Sequence, residues 1–399
     1  MTPKHRMRAA LRGEPPDVIP AAPSYLGLYR AEIEKRHYVE QYRDRMRGMT
    51  RYRPNHEEDI EFRAEALYRA YEMFTEQPDW LEVGAGPARA WTERTEILSE
   101  DSRLWYLDTV TGDRYDMLES PLPSGRDYLY GNIPSSQQDV WDQSELISNR
   151  DVIDMLVRLV PLEELQEQGV FDLPRKVVRE RDDIFISVID STPYTAAYLL
   201  GFQGMMLAFY DNPDNLKYFI TRVLEQRKPI LRGYAESGYD GIYVEEIFSG
   251  VDIISPERYD EFVMPFNIQY FRTTKTLGLL TIYYVCGNPM PLIPRILRLD
   301  CDAIAFEESK KNFSLEIEEI VEKAGKEKCI FGNIDAAYYG LHASDAQLRT
   351  EVARQISAGR NARGFVISIG SPFPLPTPPA RVDVMVKAAH AHKGKTGKG

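Results

Sequence analysis

Eight short, β-rich apolar runs recur along this chain, each closed by turn residues. They fall at Val18–Ala22, Trp80–Val83, Ile184–Ile189, Gly241–Val244, Leu279–Val285, Ala303–Phe306, Cys329–Phe331 and Phe365–Ile369. From the third run onward they alternate regularly with segments whose apolar residues have helical spacing. Parallel strands need crossover connections of a dozen or more residues, and helices supply them. Eight such units close a sheet on itself, so the expected fold class is α/β, a single (β/α)8 TIM barrel.

Helix starts fall where this scheme needs them. Ser255-Pro256-Glu257 offers an N-cap, a proline in the first turn and an acid at the positive helix end. Tyr259, Phe262, Val263, Phe266, Ile268 and Phe271 then follow at helical spacing. Asn212-Pro213-Asp214 and Ser344 with Gln347 mark two further starts. One stretch exceeds a minimal barrel, because roughly a hundred residues separate the second and third runs, against a handful in a usual connection. This insertion, taken as about 90–180, holds a hairpin expected from Arg103–Asp108 and Arg114–Met117 around Thr109–Asp113, with Gly112 at the turn. Tyr128, Tyr130 and Trp141 follow it. An insertion of this kind either covers the barrel mouth or packs on its outside. Residues 1–390 then form one domain and 391–399 a disordered polar tail, with His390 and His392 at its exposed start.

The charge balance, 49 basic against 61 acidic side chains, argues against a nucleic-acid partner, because phosphate binding needs a basic face. No run approaches the roughly 18 consecutive apolar residues of a membrane span. The basic N-terminus carries no apolar signal core, and Cys286, Cys301 and Cys329 form no disulfide framework. The expectation is a cytoplasmic enzyme acting on a small molecule, with its oligomeric state left open.

In barrels of this class the residues just past each strand line the active site. Here they are Asp190 to Tyr194; Glu245 and Glu246; Tyr284, Cys286, Gly287 and Asn288; Glu307, Glu308 and Ser309; Asn333 and Asp335; and Gly370 and Ser371. That is an acidic mouth with one thiol. Clustered carboxylates need a cation among them, or a carboxyl that keeps its proton and acts as an acid. Adjacent acids on a strand point opposite ways, so one of Glu245/Glu246 and one of Glu307/Glu308 faces the mouth. Cys301 and Cys329 lie at the opposite, stabilising end. Gly84-Ala85-Gly86 is not a dinucleotide loop, since Pro87 removes a phosphate-binding N–H and Arg89 stands at its last glycine place.

Several segments together resemble the uroporphyrinogen decarboxylase superfamily. They are Arg6 to Pro20 with Ala10-Leu11 and Gly13-Glu14, Tyr239-Asp240-Gly241, Ile254 to Tyr259, Cys286-Gly287-Asn288, Gly332-Asn333-Ile334-Asp335 and Gly364 to Ser368. The resemblance covers nearly the whole chain and implies a single (β/α)8 barrel. Its decarboxylases carry an Arg-x-x-Gly-Arg-Tyr segment after the first strand, where this chain reads Pro23 to Arg30 without it. Its other branch contains methyltransferases that work with corrinoid proteins or related carriers, using zinc held by His-x-Cys, an acidic residue and a second Cys. By that pattern Cys286 and Glu308 fall at ligand places, while Tyr284 stands at the His place and Ser371 at the second Cys place.

The resemblance therefore implies three readings. The first is a methyltransferase with a changed metal site of Cys286, Glu308 and Glu246, moving a methyl group between a small substrate and a corrinoid carried by a partner protein. The second is a metal-independent decarboxylase or lyase in which Tyr284, Glu246 and Glu308 do acid–base chemistry. The third is a protein that binds a corrinoid or tetrapyrrole without turnover. The roles that follow make Tyr284 and Glu246 catalytic, and let Asp190, Asn288, Asp335 and Ser371 position substrate beside a wall at Tyr194. Tyr25, Tyr29, Phe202, Tyr338 and Tyr339 add an aromatic character to the expected mouth.

Overall fold

In β8, Leu280–Val285, Ile282 and Tyr284 point to one side and Tyr283 and Val285 to the other, and all four are buried. A strand covered on both faces must be apolar throughout, which is why these runs read as continuous rather than alternating. In the computed structural model of the chain, residues 1–24, 26–120, 122, 148–197 and 201–394 are described, those at 26–30 by backbone alone. Tyr25, Tyr128, Tyr130 and Trp141, and the side chain of Tyr29, lie outside the described residues.

Among the described residues, seven strands make one parallel sheet. They are β2 (Trp80–Glu82), β6 (Phe185–Ser191), β7 (Gly241–Glu246), β8, β9 (Ala303–Phe306), β10 (Cys329–Phe331) and β11 (Gly364–Val366), adjacent in that order. The expected first strand, Val18–Ala22, is reduced to a seam between the two sheet edges. Ala22 N–H donates to Ile367, Ile367 N–H to Pro20, and Asp79 N–H to Ala21, at 2.8–2.9 Å. Pro20 and Pro23 have no N–H to give, so a longer ladder cannot form there. The ring still closes, and the barrel architecture stands.

Inside the ring Trp80, Phe185, Tyr243, Ile282, Tyr284 and Phe331 pack together, while the outward side chains meet the helical layer. The N-terminal helix Pro3–Arg12 plugs the amino-terminal end with Met7, Ala10 and Leu11. That plug fits because Gly364 has no side chain, since a Cβ there would lie 2.0 Å from the Ala10 carbonyl oxygen. Backbone against backbone has little room to relax, so Gly364→Ala is expected to cost about 1–3 kcal/mol of stability. A lowered urea midpoint at unchanged denaturant slope would show it.

The expected hairpin is present as β4 (Arg103–Asp108) and β5 (Arg114–Asp116), within a larger antiparallel sheet. That sheet adds β1 (Arg51–Tyr52) and β3 (Thr95–Glu100) in the order β1-β3-β4-β5. Its inner face packs through Ile97, Leu104, Tyr106 and Met117 on Tyr38, Tyr42 and Ala66 of the helices Leu26–Arg45 and His56–Glu72. Beneath it Asp59 accepts hydrogen bonds from Tyr38, Tyr42 and Arg63, a buried polar knot that fixes the two helices against each other.

The helix after Ser255 breaks once, into Pro256–Phe262 and Met264–Thr276, because Pro265 cannot continue the hydrogen-bond ladder. Ser255 caps the first piece and Ser344 with Gln347 forms a complete capping box, as the sequence indicates. His390 is not part of a frayed tail. It ends the helix Pro379–His390 and its ring lies 2.8 Å from the buried carboxylate of Asp79. Beyond it, Ile19 N–H donates to His392 and Val18 pairs antiparallel with Lys393, which orders residues 391–394 as well. No helix among the described residues is long and apolar enough to cross a membrane.

Candidate active site at the carboxyl ends of the strands

Side-chain direction on the last rungs decides what this site contains. Ser191 pairs with Glu245, Glu245 with Tyr284, and Tyr284 with Ala305, so these four share the inward face. The neighbouring rung, Asp190 with Val244, belongs to the outward face. One residue along a strand reverses the face, and the acids separate accordingly.

Glu246 is fully buried in the helical layer rather than at the mouth. It accepts hydrogen bonds from Thr192 (2.9 Å), Thr195 (2.8 Å), Asn267 (3.1 Å) and Tyr283 (3.3 Å). Burial raises its carboxyl to about 7, although those four donors pull the other way. The expectation that Glu246 joins Cys286 and Glu308 is therefore corrected: its partner Glu245 takes the inward position.

Asp190 is corrected in the same way. Its carboxylate faces the helices, 3.2 Å from Arg227 and accepting from the Tyr270 hydroxyl at 2.7 Å. Tyr194 forms no wall of the mouth either, being fully buried, stacked on Phe209 and bonded to the Phe248 carbonyl. Phe202 and Tyr338, by contrast, are exposed. Cys301 and Cys329 are buried as expected.

The remaining candidates come together where β8, β9 and β11 end. Tyr284 crosses the barrel interior and donates its hydroxyl proton to the Gly370 carbonyl at 2.7 Å, so that proton is already engaged. Burial holds the phenol far above its ordinary range, with the nearby Cys286 adding to the effect. The next residue, Ser371, places its hydroxyl 2.9 and 2.8 Å from the two oxygens of Glu308. The resemblance places both residues at one site, Glu308 at the acidic ligand place and Ser371 at the second Cys place. Lys310, which the sequence reading missed, completes it, since its ammonium donates to Glu308 and, at 3.1 Å, to Ser371.

Beside this trio stands Glu307, which accepts from Gly287 N–H at 3.1 Å. Burial raises its proton affinity, partly offset by that N–H and by Lys310, while Glu308 and Asp252 push the same way as burial. Cys286, next to it, stays a thiol: burial and then Glu307 hold its pKa well above the ordinary value, against the hydrogen bond to Tyr284. Gly287 has φ +76°, and a Cβ there would lie 2.5 Å from Asp252. Glycine thus lets the loop after β7 reach the loop after β8, where Asp252 accepts from Asn288 N–H at 2.8 Å.

Two expected substrate-binding side chains serve backbone instead. Asn288 accepts from Met290 N–H just before the turn Met290–Leu292, and Asp335 caps the helix Ala336–Leu341 by accepting from Tyr338 N–H. Asn333 donates to the carbonyls of Glu307 and Leu315, which holds the β9 loop in place. Lys310 and Asp252 left one faint trace in the sequence, as a cation two residues after an acid pair and an acid shortly before a Ser-Pro helix start.

The donor set does not fit a zinc ion. Among the described residues, no three His, Cys, Asp or Glu side chains are grouped to hold a metal. Glu246 faces away into the helical layer, and Glu308 already has an ammonium and a hydroxyl on its oxygens. What the arrangement can do is acid–base chemistry: a part-buried carboxyl with raised proton affinity beside a fixed cation, at the carboxyl ends of the barrel strands.

The family model described as uroporphyrinogen decarboxylase (URO-D) matches residues 147–392. A uroporphyrinogen decarboxylase of Psychromonas ingrahamii is 24% identical over 58% of this chain and 66% of its own length. One from Ruthia magnifica is 21% identical over 47% of this chain and 52% of its own. The chain thus spans between about half and two thirds of these relatives. Among solved structures, a methyltransferase from Methanosarcina mazei superposes over 98% of both chains with a TM-score of 0.61 at 17% identity, a likeness of fold. With the family model covering most of the chain, including every strand of the barrel from β6 to β11, this protein belongs to the uroporphyrinogen decarboxylase family.

Proposed function

We propose that this barrel is a small-molecule methyltransferase. It would take a methyl group from an oxygen of a methoxylated, aromatic substrate and pass it to a corrinoid or related carrier held by a partner protein. The observation that carries the reading is Glu307, a part-buried carboxyl of raised proton affinity held toward the mouth by Gly287 N–H. Breaking a methyl–oxygen bond leaves charge on the oxygen, and a positioned acid that still holds its proton lowers that barrier. The likeness over almost the full length to a solved methyltransferase supports the same reading. Tyr284 acts by fastening the loop after β11, next to the Ser371 that bonds Glu308.

The test is methyl transfer from methoxybenzoates to reduced cobalamin, followed by the change in its visible spectrum. The parent protein is expected to turn over. Glu307→Gln is expected to lower kcat by about tenfold or more with KM little changed, since a general acid contributes to the transition state more than to binding. Turnover with Glu307→Gln equal to that of the parent would remove Glu307 from the chemistry. No transfer from any methoxylated compound would remove the methyltransferase reading.

A second reading, a decarboxylase or lyase, is favoured by one observation: the groups at the mouth form a proton donor and a cation from the chain's own side chains. Release of CO2 from a carboxylated substrate, undiminished by chelator, would select it.

A further inference from the structure

We propose that Lys310 is the catalytic cation of this site, and that its ammonium binds the anionic oxygen of an aromatic substrate where a metal ion would otherwise be needed. The inference rests on the methyl-transfer reading for its chemistry, and on the geometry for its location. Glu308, at the end of β9, and Ser371, after β11, are two side chains that the barrel brings to one point. Among the described residues, the Lys310 ammonium lies between them, and it belongs to the chain itself.

An ammonium carries three N–H donors. Glu308 and Ser371 take two of those on Lys310, and the side chain is 39% exposed, so the third can be reached from the mouth. The pairing also fixes the head of an otherwise floppy chain, so a ligand oxygen meets a positioned charge rather than a wandering one. The charges of Glu308, Glu307 and Asp335 keep the ammonium protonated, although partial burial acts against it. A divalent ion bound beside it would be repelled, which is a second physical reason why this donor set does not suit zinc.

In the proposed step the methyl–oxygen bond breaks and its electron pair stays on the oxygen. The methyl group leaves to the nucleophilic carrier while the proton of Glu307 moves toward the departing oxygen, whose developing negative charge the Lys310 ammonium holds. No electron is gained or lost overall. The substrate class this selects is an aromatic ether whose departing oxygen becomes a phenolate.

The experiment is a binding titration of the full chain with benzoate, a simple aromatic oxyanion, beside its neutral isostere benzamide, with and without chelator. Benzoate is expected to bind the parent protein and benzamide at least tenfold more weakly. Lys310→Met is expected to lose at least tenfold in benzoate affinity, and Lys310→Arg to stay within threefold of the parent. The unfolding midpoint of Lys310→Met, an exposed position, confirms that the variant is folded. Equal binding of benzoate and benzamide, equal benzoate affinity in parent and Lys310→Met, no benzoate binding to the parent, or binding abolished by chelator would each overturn the proposal. If benzoate binding follows Lys310 while no methoxylated compound is turned over, the anion site stands and the methyl-transfer reading fails.

Discussion

Asp190→Ala is expected to lower the folding free energy by about 3–5 kcal/mol, the usual cost of removing one partner of a buried ion pair. Asp190 sits on the last outward rung of β6, 5% exposed, against an Arg227 that is exposed to the same small extent. Its two oxygens serve two different helices: Arg227 of Pro213–Glu236 and Tyr270 of Met264–Thr276. Alanine would leave the guanidinium inside the helical layer without this carboxylate, and would release the Tyr270 hydroxyl at the same time. Asp190→Asn keeps an acceptor for Tyr270 and should cost less. Urea unfolding of the three proteins measures the order directly. If Asp190 bound substrate instead, the alanine variant would unfold at the parent midpoint and show only a raised KM.

Glu246 should make stability depend on pH between about 5 and 8. In the folded chain its carboxyl titrates near 7 rather than at the ordinary 4.5, because burial penalises the charge. A carboxyl whose folded value is raised contributes stability that is fully present below the unfolded value, and that contribution is lost as pH rises through the folded one. Moving from 4.5 to about 7 corresponds to about 3 kcal/mol, at about 1.4 kcal/mol per tenfold in proton affinity. Glu246→Gln removes the titration while keeping one acceptor oxygen, and the hydroxyls of Thr192, Thr195 and Tyr283 can turn to accept from the new amide NH2. The parent should therefore lose stability relative to this variant as pH rises from 5 to 8. A difference that stays flat over that range would mean that the carboxyl titrates as a solvated one.

Both residues show where the sequence stops being readable. The apolar runs locate the strands well, and Ala303–Phe306 and Cys329–Phe331 coincide with β9 and β10. The ends are harder. The run at Ile184–Ile189 continues as β6 to Ser191, and that at Gly241–Val244 continues as β7 to Glu246. Asp190 and Glu246 look like loop residues past the strands, yet both stand on the ladder, where alternation turns them outward. A shift of one residue in register exchanges the two faces. The sequence narrows Glu245 and Glu246 to one inward member, and only the register selects Glu245; Glu307 and Glu308 lie past the end of β9, where the expected alternation no longer holds and both reach the site.

The insertion teaches the same lesson differently. Its hairpin at Gly112 is legible because glycine marks the turn. The turn between β3 and β4 uses Asp101 and Ser102 at φ +50° and +64°, without glycine, so it leaves no comparable mark. Lys310 escaped notice for another reason. It acts on Glu308 from two residues away and on Ser371 from sixty-one, and the second contact exists only once the ring has closed.

That closure has its own consequence. Six of the joints between strands are ladders, whereas the seventh rests on the few hydrogen bonds around Pro20–Ala22. A hoop with one stapled joint gives way at the staple. Strain placed on this barrel would part it there and leave the seven strands as an open trough. The trough would still carry Glu307, Glu308, Cys286 and Ser371 together, because β8, β9, β10 and β11 remain laddered while β11 parts from β2. The staple at the first strand thus closes the ring without being what holds Lys310 on Glu308, two residues away along the chain.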